Sequence, residues 1–244
     1  LGFSYPVTEK DVLFASYGHF YQMPELQYVY LSEEYRGFDR LVGNPDLEPE
    51  VTKAYEVRLE RLLEETLLLK ISGYKKDIRG LADAERMGEY PLYYYQLTNS
   101  AYGDVIGLEV ELDKPYGKYL TGRLSYTLSD TRGKSSKDKE SFYEWELERA
   151  LQSYPLLWDQ RHQLHLSLRL RVEDEPLSIF GVRSPIGWGV GMLFTYGSGL
   201  PYSPTPEELT QYKMPLVKTF GRMPSTNSVD LKLYKSFPLS RLCL

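Results

Sequence analysis

The chain has 244 residues, a net charge of −5 and 42% hydrophobic residues, enough for one domain or two. No stretch approaches the roughly 18 apolar residues of a membrane-spanning helix, which excludes helical membrane proteins but not strand-built ones. The acidic balance gives no electrostatic case for nucleic acid. The one cysteine, Cys243, excludes an internal disulfide and a cysteine-based zinc cluster. The unusual quantity is 22 Tyr beside 3 Trp and 9 Phe; Tyr pairs an apolar body with a polar tip and suits a membrane–water interface or a wet binding surface.

In chain order, strands are predicted at 11–21, 51–62 and 66–78. In "VTKAYEVRLE" (51–60), Tyr55, Val57 and Leu59 alternate with Glu56, Arg58 and Glu60. Next, "DVIGLEVEL" (104–112) sets Ile106, Leu108, Val110 and Leu112 against Gly107, Glu109 and Glu111, and "YLTGRLSYTLS" (119–129) sets Leu120, Leu124, Tyr126 and Leu128 against Thr121, Arg123, Ser125 and Thr127. "HQLHLSLRLRV" (162–172) repeats the period of two, as do "GWGVGMLFTY" (187–196) and "VDLKLYKSF" (229–237), the latter aligning Val229, Leu231, Leu233 and Phe237. No amphipathic helix competes, so the fold class is all-β, with about eight full strands and a partial one.

Short turns at "LEE" (63–65) and "DKPYGK" (113–118) alternate with long loops near 22–50, 79–93, 131–157 and 199–226; the connection 173–186 is a longer one on the short side. Strands of about 11–15 residues exceed the usual 5–6, and aromatics recur near their ends: Tyr55, Tyr74, Tyr95, Tyr119, Trp158, Trp188 and Tyr196. This combination describes an antiparallel transmembrane β-barrel segment in the outer membrane, with outer-membrane lipid against the apolar face. A soluble sandwich with one wet face produces the same alternation and is the alternative. Two cross-strand ion pairs are expected: Glu109 opposite Arg123, if Leu112 meets Leu120, and Glu60 opposite Lys70, if Leu59 meets Ile71.

Chemistry is sparse. His162 and His165 lie three apart on a strand and therefore point to opposite faces, so they make no shared metal site. Asp46, Glu48 and Glu50 in "NPDLEPE" lack the glycine and ligand spacing of a calcium loop; Pro45 and Pro49 explain the stretch as a stiff, solvated loop. Ser198 and Ser203 have no candidate His–Asp partner in sequence, and "GSGLPYSPTP" opens no helix that would cradle a phosphate. The sequence therefore presents no catalytic residue, cofactor site or metal site.

"LFASYGHFYQMPEL" (13–26), "GNPDLEPEVTKAYEVRLE" (43–60), "YKKDIRGL" (74–81), "DQRHQLHLSL" (159–168), "GWGVGMLFTYGSGLPYSPT" (187–205) and "RMPSTNSVDLKLYKSF" (222–237) resemble, in that order, successive segments of TonB-dependent outer-membrane receptors. The closest likeness is to the subgroup whose N-terminal module resembles a carboxypeptidase regulatory domain. The resemblance implies a 22-stranded barrel plugged by an N-terminal domain, of which residues 1–244 are a partial barrel domain. It further implies contact with the periplasmic TonB protein through a coupling box that lies before the plug, and active uptake of a bulky nutrient of the iron chelate, vitamin, glycan or peptide class. Plug, coupling box and final strands are not among these residues. A partial wall is expected neither to insert nor to transport alone, because an open edge in lipid leaves backbone groups unsatisfied. Arg58 departs from the small residue that the family often has there. A non-transport adhesion barrel that binds a surface partner is the competing membrane reading. In either case the Tyr-rich stretches "YPLYYYQ" (90–96) and "GLPYS" (199–203) nominate Tyr93, Tyr94, Tyr95 and Tyr202 as ligand-stacking residues on external loops, with interface anchoring the other role open to Tyr93–Tyr95.

Overall fold

The computed structural model describes residues 1–89, 91–136, 140–143, 153–179, 181–202 and 221–236. Its strands are β1 (Gly2–Pro6), β2 (Asp11–Gln22), β3 (Glu34–Arg36), β4 (Asp39–Val42), β5 (Glu50–Glu64), β6 (Leu67–Met87), β7 (Tyr94–Lys114) and β8 (Leu120–Gly133). They continue as β9 (Tyr154–Pro155), β10 (His162–Val172), β11 (Ser178–Ile179), β12 (Val182–Arg183), β13 (Trp188–Gly197), β14 (Pro201–Tyr202), β15 (Gly221–Arg222) and β16 (Thr226–Lys235). Two single-turn helices, α1 (Leu26–Val29) and α2 (Glu140–Tyr143), lie in the long connections. Phe237, Ser203 and Cys243 fall outside the described residues.

Nine strands follow one another in a single ladder, β1-β2-β5-β6-β7-β8-β10-β13-β16, and every neighbouring pair is antiparallel. Because side chains alternate across a strand, register decides which residues share a face. Leu13, Leu59, Ile71, Val110, Tyr126, Leu164 and Tyr196 form one cross-strand row, and Leu69, Leu112, Leu124, Leu166, Phe194 and Val229 form the next. This whole apolar face is left open: Val57 is 55% exposed, Ile106 61% and Leu231 68%. The opposite face carries Glu56, Arg58, Glu60, Lys70, Ser72, Glu109, Glu111 and Arg123 in matching rows. A sheet that exposes its leucines and turns its charges to the other side is built for lipid outside and water within.

The hairpin register around Leu59 and Ile71 is the expected one, and Glu60 does stand opposite Lys70. The Lys70 ammonium nevertheless turns to its other neighbour and binds Glu111 at 2.7 Å. The expected pairing of Glu109 with Arg123 is corrected. β7 runs on through Asp113 and Lys114, so Leu112 meets Leu124, Glu109 meets Thr127, and Arg123 bonds Asp113 at 3.0 Å. The discrepancy is four residues, an even number, and therefore leaves both faces as read. A second correction concerns 79–93: β6 continues to Met87 and β7 begins at Tyr94, which makes a 21-residue hairpin pair whose outer third stands beyond the apolar band. Gly80, with φ of +76°, marks the point where the ladder shifts register and the hairpin is re-aimed. Tyr74 faces the polar side, its ring over Gly107, where a methyl group would meet the ring at 2.4 Å.

The face assignment predicts a sharp contrast between adjacent residues. Leu108→Arg is expected to destabilise the folded protein in phospholipid vesicles by about 2–4 kcal/mol, and Glu109→Gln by no more than about 0.5 kcal/mol. Urea titration of the vesicle-embedded full-length protein measures both; equal costs would invert or abolish the assignment.

Candidate functional site

Among the described residues, the largest buried apolar cluster does not lie within the band of strands. It sits on the outer extension of β6 and β7, where Tyr28, Leu41, Ala82, Ala84, Tyr95, Leu97 and Phe142 pack together, with Leu31, Leu47 and Tyr93 at its margin. Beyond Gly103 the outer part of β7 has lost β8 as a neighbour. β4 fills that place in parallel, Leu41 against Tyr95 and Val42 against Gln96. The 22–50 connection therefore folds over the hairpin and caps its open edge, which removes unpaired backbone groups and buries Leu41 completely.

Side-chain amides fix this cap in place. The Asn44 amide donates to the Leu97 carbonyl at 3.0 Å, and the Asp46 amide closes an Asx turn on Asn44 Oδ1 at 2.9 Å. From the other side, Asn99 accepts from the Glu48 amide at 2.9 Å and donates to the carbonyls of Glu48 and Gly80. Gly43 passes so close to Tyr28 and Leu31 that a methyl group there would meet the Tyr28 carbonyl oxygen at 2.6 Å. The stiffness expected of 43–49 from its prolines rests equally on these two asparagines, which the sequence does not single out.

A buried carboxylate ties in a second loop. Asp83 is fully buried on β6; its Oδ1 accepts from the amides of Ala84 (2.8 Å) and Ser141 (3.0 Å), and its Oδ2 accepts from the Ser141 hydroxyl (2.5 Å). Phe142 of α2 then lodges edge-on against Tyr95, ring centroids 5.3 Å apart, with the Arg36 guanidinium over its face. Burial pushes the Asp83 carboxyl above the usual carboxylate range, partly offset by the Ser141 and Ala84 donors. Asp159, also fully buried, plays the equivalent part under β10. It accepts from the Thr131 amide at 2.9 Å and from Arg222 and Arg161, joining the outer ends of β8, β10 and β15.

The four nominated tyrosines separate by role. Tyr95 is 2% exposed and belongs to the cap core, edge to face with Phe142. Tyr93 meets Tyr95 edge to face at 6.2 Å, donates to Asp39 at 2.8 Å and lies beneath Arg86. That bond to Asp39 raises the Tyr93 pKa. Tyr94 carries the Arg40 guanidinium over its ring at 5.7 Å. Tyr202 stands apart on the β14–β15 ribbon, with its ring over Gly221 beside the Arg222 anchor. Around Tyr93 and Tyr94 the β3–β4 hairpin holds Tyr35 and Phe38 out to solvent, and Arg36 and Arg40 lie on the same hairpin. The cap thus offers aromatic faces with guanidinium groups beside them, suited to holding a flat or anionic ligand.

His162 and His165 lie on opposite faces, His162 bonded to Tyr126 at 2.8 Å and His165 in register with Ser125 and Thr195. Among the described residues no three His, Cys, Asp or Glu side chains gather into a metal-ligating group.

Residues 1–242 match the family model described as "TonB dependent receptor-like, beta-barrel". Among solved structures, the outer membrane transporter YddB from Escherichia coli superposes with a TM-score of 0.65 at 8% identity, over 92% of this chain and 32% of its own. The siderophore receptor PirA from Acinetobacter baumannii gives 0.65 at 13% identity, over 97% of this chain and 34% of its own. A variant of the ferric enterobactin receptor PfeA from Pseudomonas aeruginosa gives 0.61 at 18% identity, over 94% and 31%. The chain therefore spans about a third of the length of these structures.

The Asp83 network generates a pH prediction. A carboxyl whose folded pKa lies above its unfolded value gains stability as pH falls through the folded pKa, because the folded form binds the proton more tightly. The geometry accommodates that proton, since Oδ1 continues to accept both amides and Oδ2–H donates to Ser141 Oγ. Hydrogen exchange at the Ser141 amide is therefore expected to slow on mild acidification, beyond the intrinsic pH effect. Asp83→Asn should abolish that response with the cap still closed, whereas Asp83→Ala should open it by about 1–3 kcal/mol.

Proposed function

Because this chain belongs to the TonB-dependent receptor β-barrel family, we propose that it forms the late part of the wall of an outer-membrane receptor that captures a bulky nutrient outside and imports it by TonB coupling. The ligand belongs to the iron chelate, vitamin, glycan or peptide class. The observation that carries the reading is the cap: a folded unit with its own apolar core, raised beyond the lipid-facing band and presenting Tyr93, Tyr94, Tyr35 and Phe38 with arginines beside them. A purely structural barrel has no need to order its long loops around a buried core. Tyr95 supports this surface from beneath by fixing Tyr93 and α2, while Tyr93, Tyr94 and Tyr202 offer ring faces for stacking. Arg36 and Arg40 are ion-paired with Asp39 and Glu33, so the guanidinium groups frame the rings without fixing the charge of the ligand.

Within this proposal the barrel wall supplies passage and the loops supply capture. The inner face is wet and charged, with Lys70–Glu111 and Arg123–Asp113 neutralising each other across strands, so a polar cargo meets a polar wall. Energy coupling to TonB falls to the coupling box before the plug that the family resemblance implies. The subgroup carrying a carboxypeptidase-regulatory-like module remains the finer assignment that the sequence words favour.

The test uses the full-length receptor in a strain from which its gene is deleted. Growth is compared on ferric siderophores, on vitamin B12, on peptides and on glycans as limiting nutrients. The expected result is loss of one uptake activity, restored by the wild-type gene only when TonB is present, with Tyr93→Ala, Tyr94→Ala and Tyr202→Ala each weakening binding about 2- to 10-fold. Restoration without TonB would overturn import, as would unchanged uptake of every nutrient; surface adhesion lost in the same strain would then identify a non-transport barrel.

A further inference from the structure

On the long-loop side the outward face passes from apolar to charged within one residue step, and it does so on four adjacent strands. Lys53, Asp77, Asp104 and Arg132 stand in one cross-strand row on β5, β6, β7 and β8. One step nearer the apolar band the row is Tyr55, Lys75, Ile106 and Asp130; one step farther out it includes Arg79 and Tyr102. Parity puts all of these on the face that carries Val57, Ile71, Leu108 and Leu128, the lipid-facing side. These four strands have partners on both sides, β2 and β10 flanking them, so their outward exposure does not arise from an open edge.

The carboxylates pair with most of these cations and leave Lys53 unmatched. Lys75 binds Asp77 at 3.0 Å, Arg79 binds Asp104 at 2.8 Å, and Asp130 is shared by Arg132 at 3.2 Å and Arg161 at 2.6 Å. Lys53 is exposed and has no ion-pair partner among the described residues. Arg161 also reaches the buried Asp159, so on the outward rows Lys53, Lys75, Arg79 and Arg132 face Asp77, Asp104 and Asp130, a surplus of one positive charge carried by Lys53. Arg79 spends its other donors on the carbonyls of Ile78 and Gly103, whereas Arg132 reaches Asp130 through Nε and keeps its terminal nitrogens available. Tyr17 and Tyr55, ring centroids 4.9 Å apart on the same face, mark the boundary where the apolar band ends. The opposite rim differs: Arg61 is paired with Asp11, and Lys114 and Lys235 stand on separate strands.

We infer that this patch seats the phosphate-bearing headgroup of a lipid in the leaflet on the long-loop side. Lys53, Lys75 and Arg132 hold the phosphates, and the acyl chains run down the apolar face below Tyr55 and Ile106. A membrane-facing position excludes a soluble partner, and the charge surplus at the interface selects an anionic headgroup over a zwitterionic one. The inference is independent of which nutrient is imported, since the patch lies outside the barrel and away from the cap's aromatic surface.

The test is native mass spectrometry of the full-length receptor with lipid A, a diphosphorylated glycolipid, against its monophosphorylated form and phosphatidylethanolamine. Wild type is expected to retain lipid A most strongly. Lys53→Ala, Lys75→Ala and Arg132→Ala should each lower that retention about fivefold. Lys114→Ala with Lys235→Ala, at the other rim, should leave it unchanged, and the charge-keeping Lys53→Arg with Lys75→Arg should preserve it. Retention of phosphatidylethanolamine equal to that of lipid A would overturn the inference. So would an undiminished Lys53→Ala/Lys75→Ala/Arg132→Ala triple variant, an equal loss from the opposite-rim variant, or failure of the arginine variant to bind.

Discussion

A backbone amide inside hydrocarbon has no water to turn to, and an unmet one costs several kcal/mol. Every other feature of this chain follows from meeting that demand with a ladder of strands. Once the ladder is continuous, side chains are free to sort by face, and lipid and water enforce opposite polarities on alternate residues. That is why Tyr55, Val57 and Leu59 can stand open on one side while Glu56, Arg58 and Glu60 stand on the other. Apolar exposure that would cause a soluble protein to aggregate is here the matched half of a solvent pair.

The same demand explains the cap. Where β7 outruns β8, its edge is open again, now in water, and the chain answers with β4, Asn44 and Asn99. Burial follows from pairing, because the fold-over brings Leu41 onto Tyr95 and Leu97. The buried carboxylates Asp83 and Asp159 are the polar counterparts of that core, each gathering donors from a different connection. The external surface is therefore a set of loops knotted to strand ends rather than an unordered fringe.

Legibility in the sequence tracks these constraints. The strand faces could be read residue by residue, since two solvents of opposite kind leave a period of two that no other fold demand obscures. Register could not always be read: a slip of four residues preserves every face, so the Pro115–Gly117 turn suggested Glu109 for Arg123 while the chain uses Asp113. Hairpin logic also sees one neighbour where a strand has two, which is how Lys70 came to bind Glu111 instead of Glu60. The outer part of β6 is hard to tell from loop in the sequence because beyond the bilayer its faces meet water on one side and folded loop on the other, and alternation fades. Tyr95 shows the limit for the candidate site. Three successive tyrosines look alike in sequence, and it is the packing of Leu41 and Phe142 over Tyr95 that puts one of them in the core.

The asparagine anchors have a consequence for how this surface can diversify. Residues 43–49 are fixed at both ends, by Asn44 to Leu97 and by Asn99 to Glu48 and Gly80, so an insertion there would tear β4 from β7. The tips at Gly37–Phe38 and at Leu92 lie outside those anchors, Phe38 fully exposed at the first and Leu92 largely so at the second. Lengthening or substituting these tips leaves the cap's core untouched. Changes at these tips can therefore alter the outer surface while the platform beneath keeps its shape, in the manner of variable loops on a rigid frame.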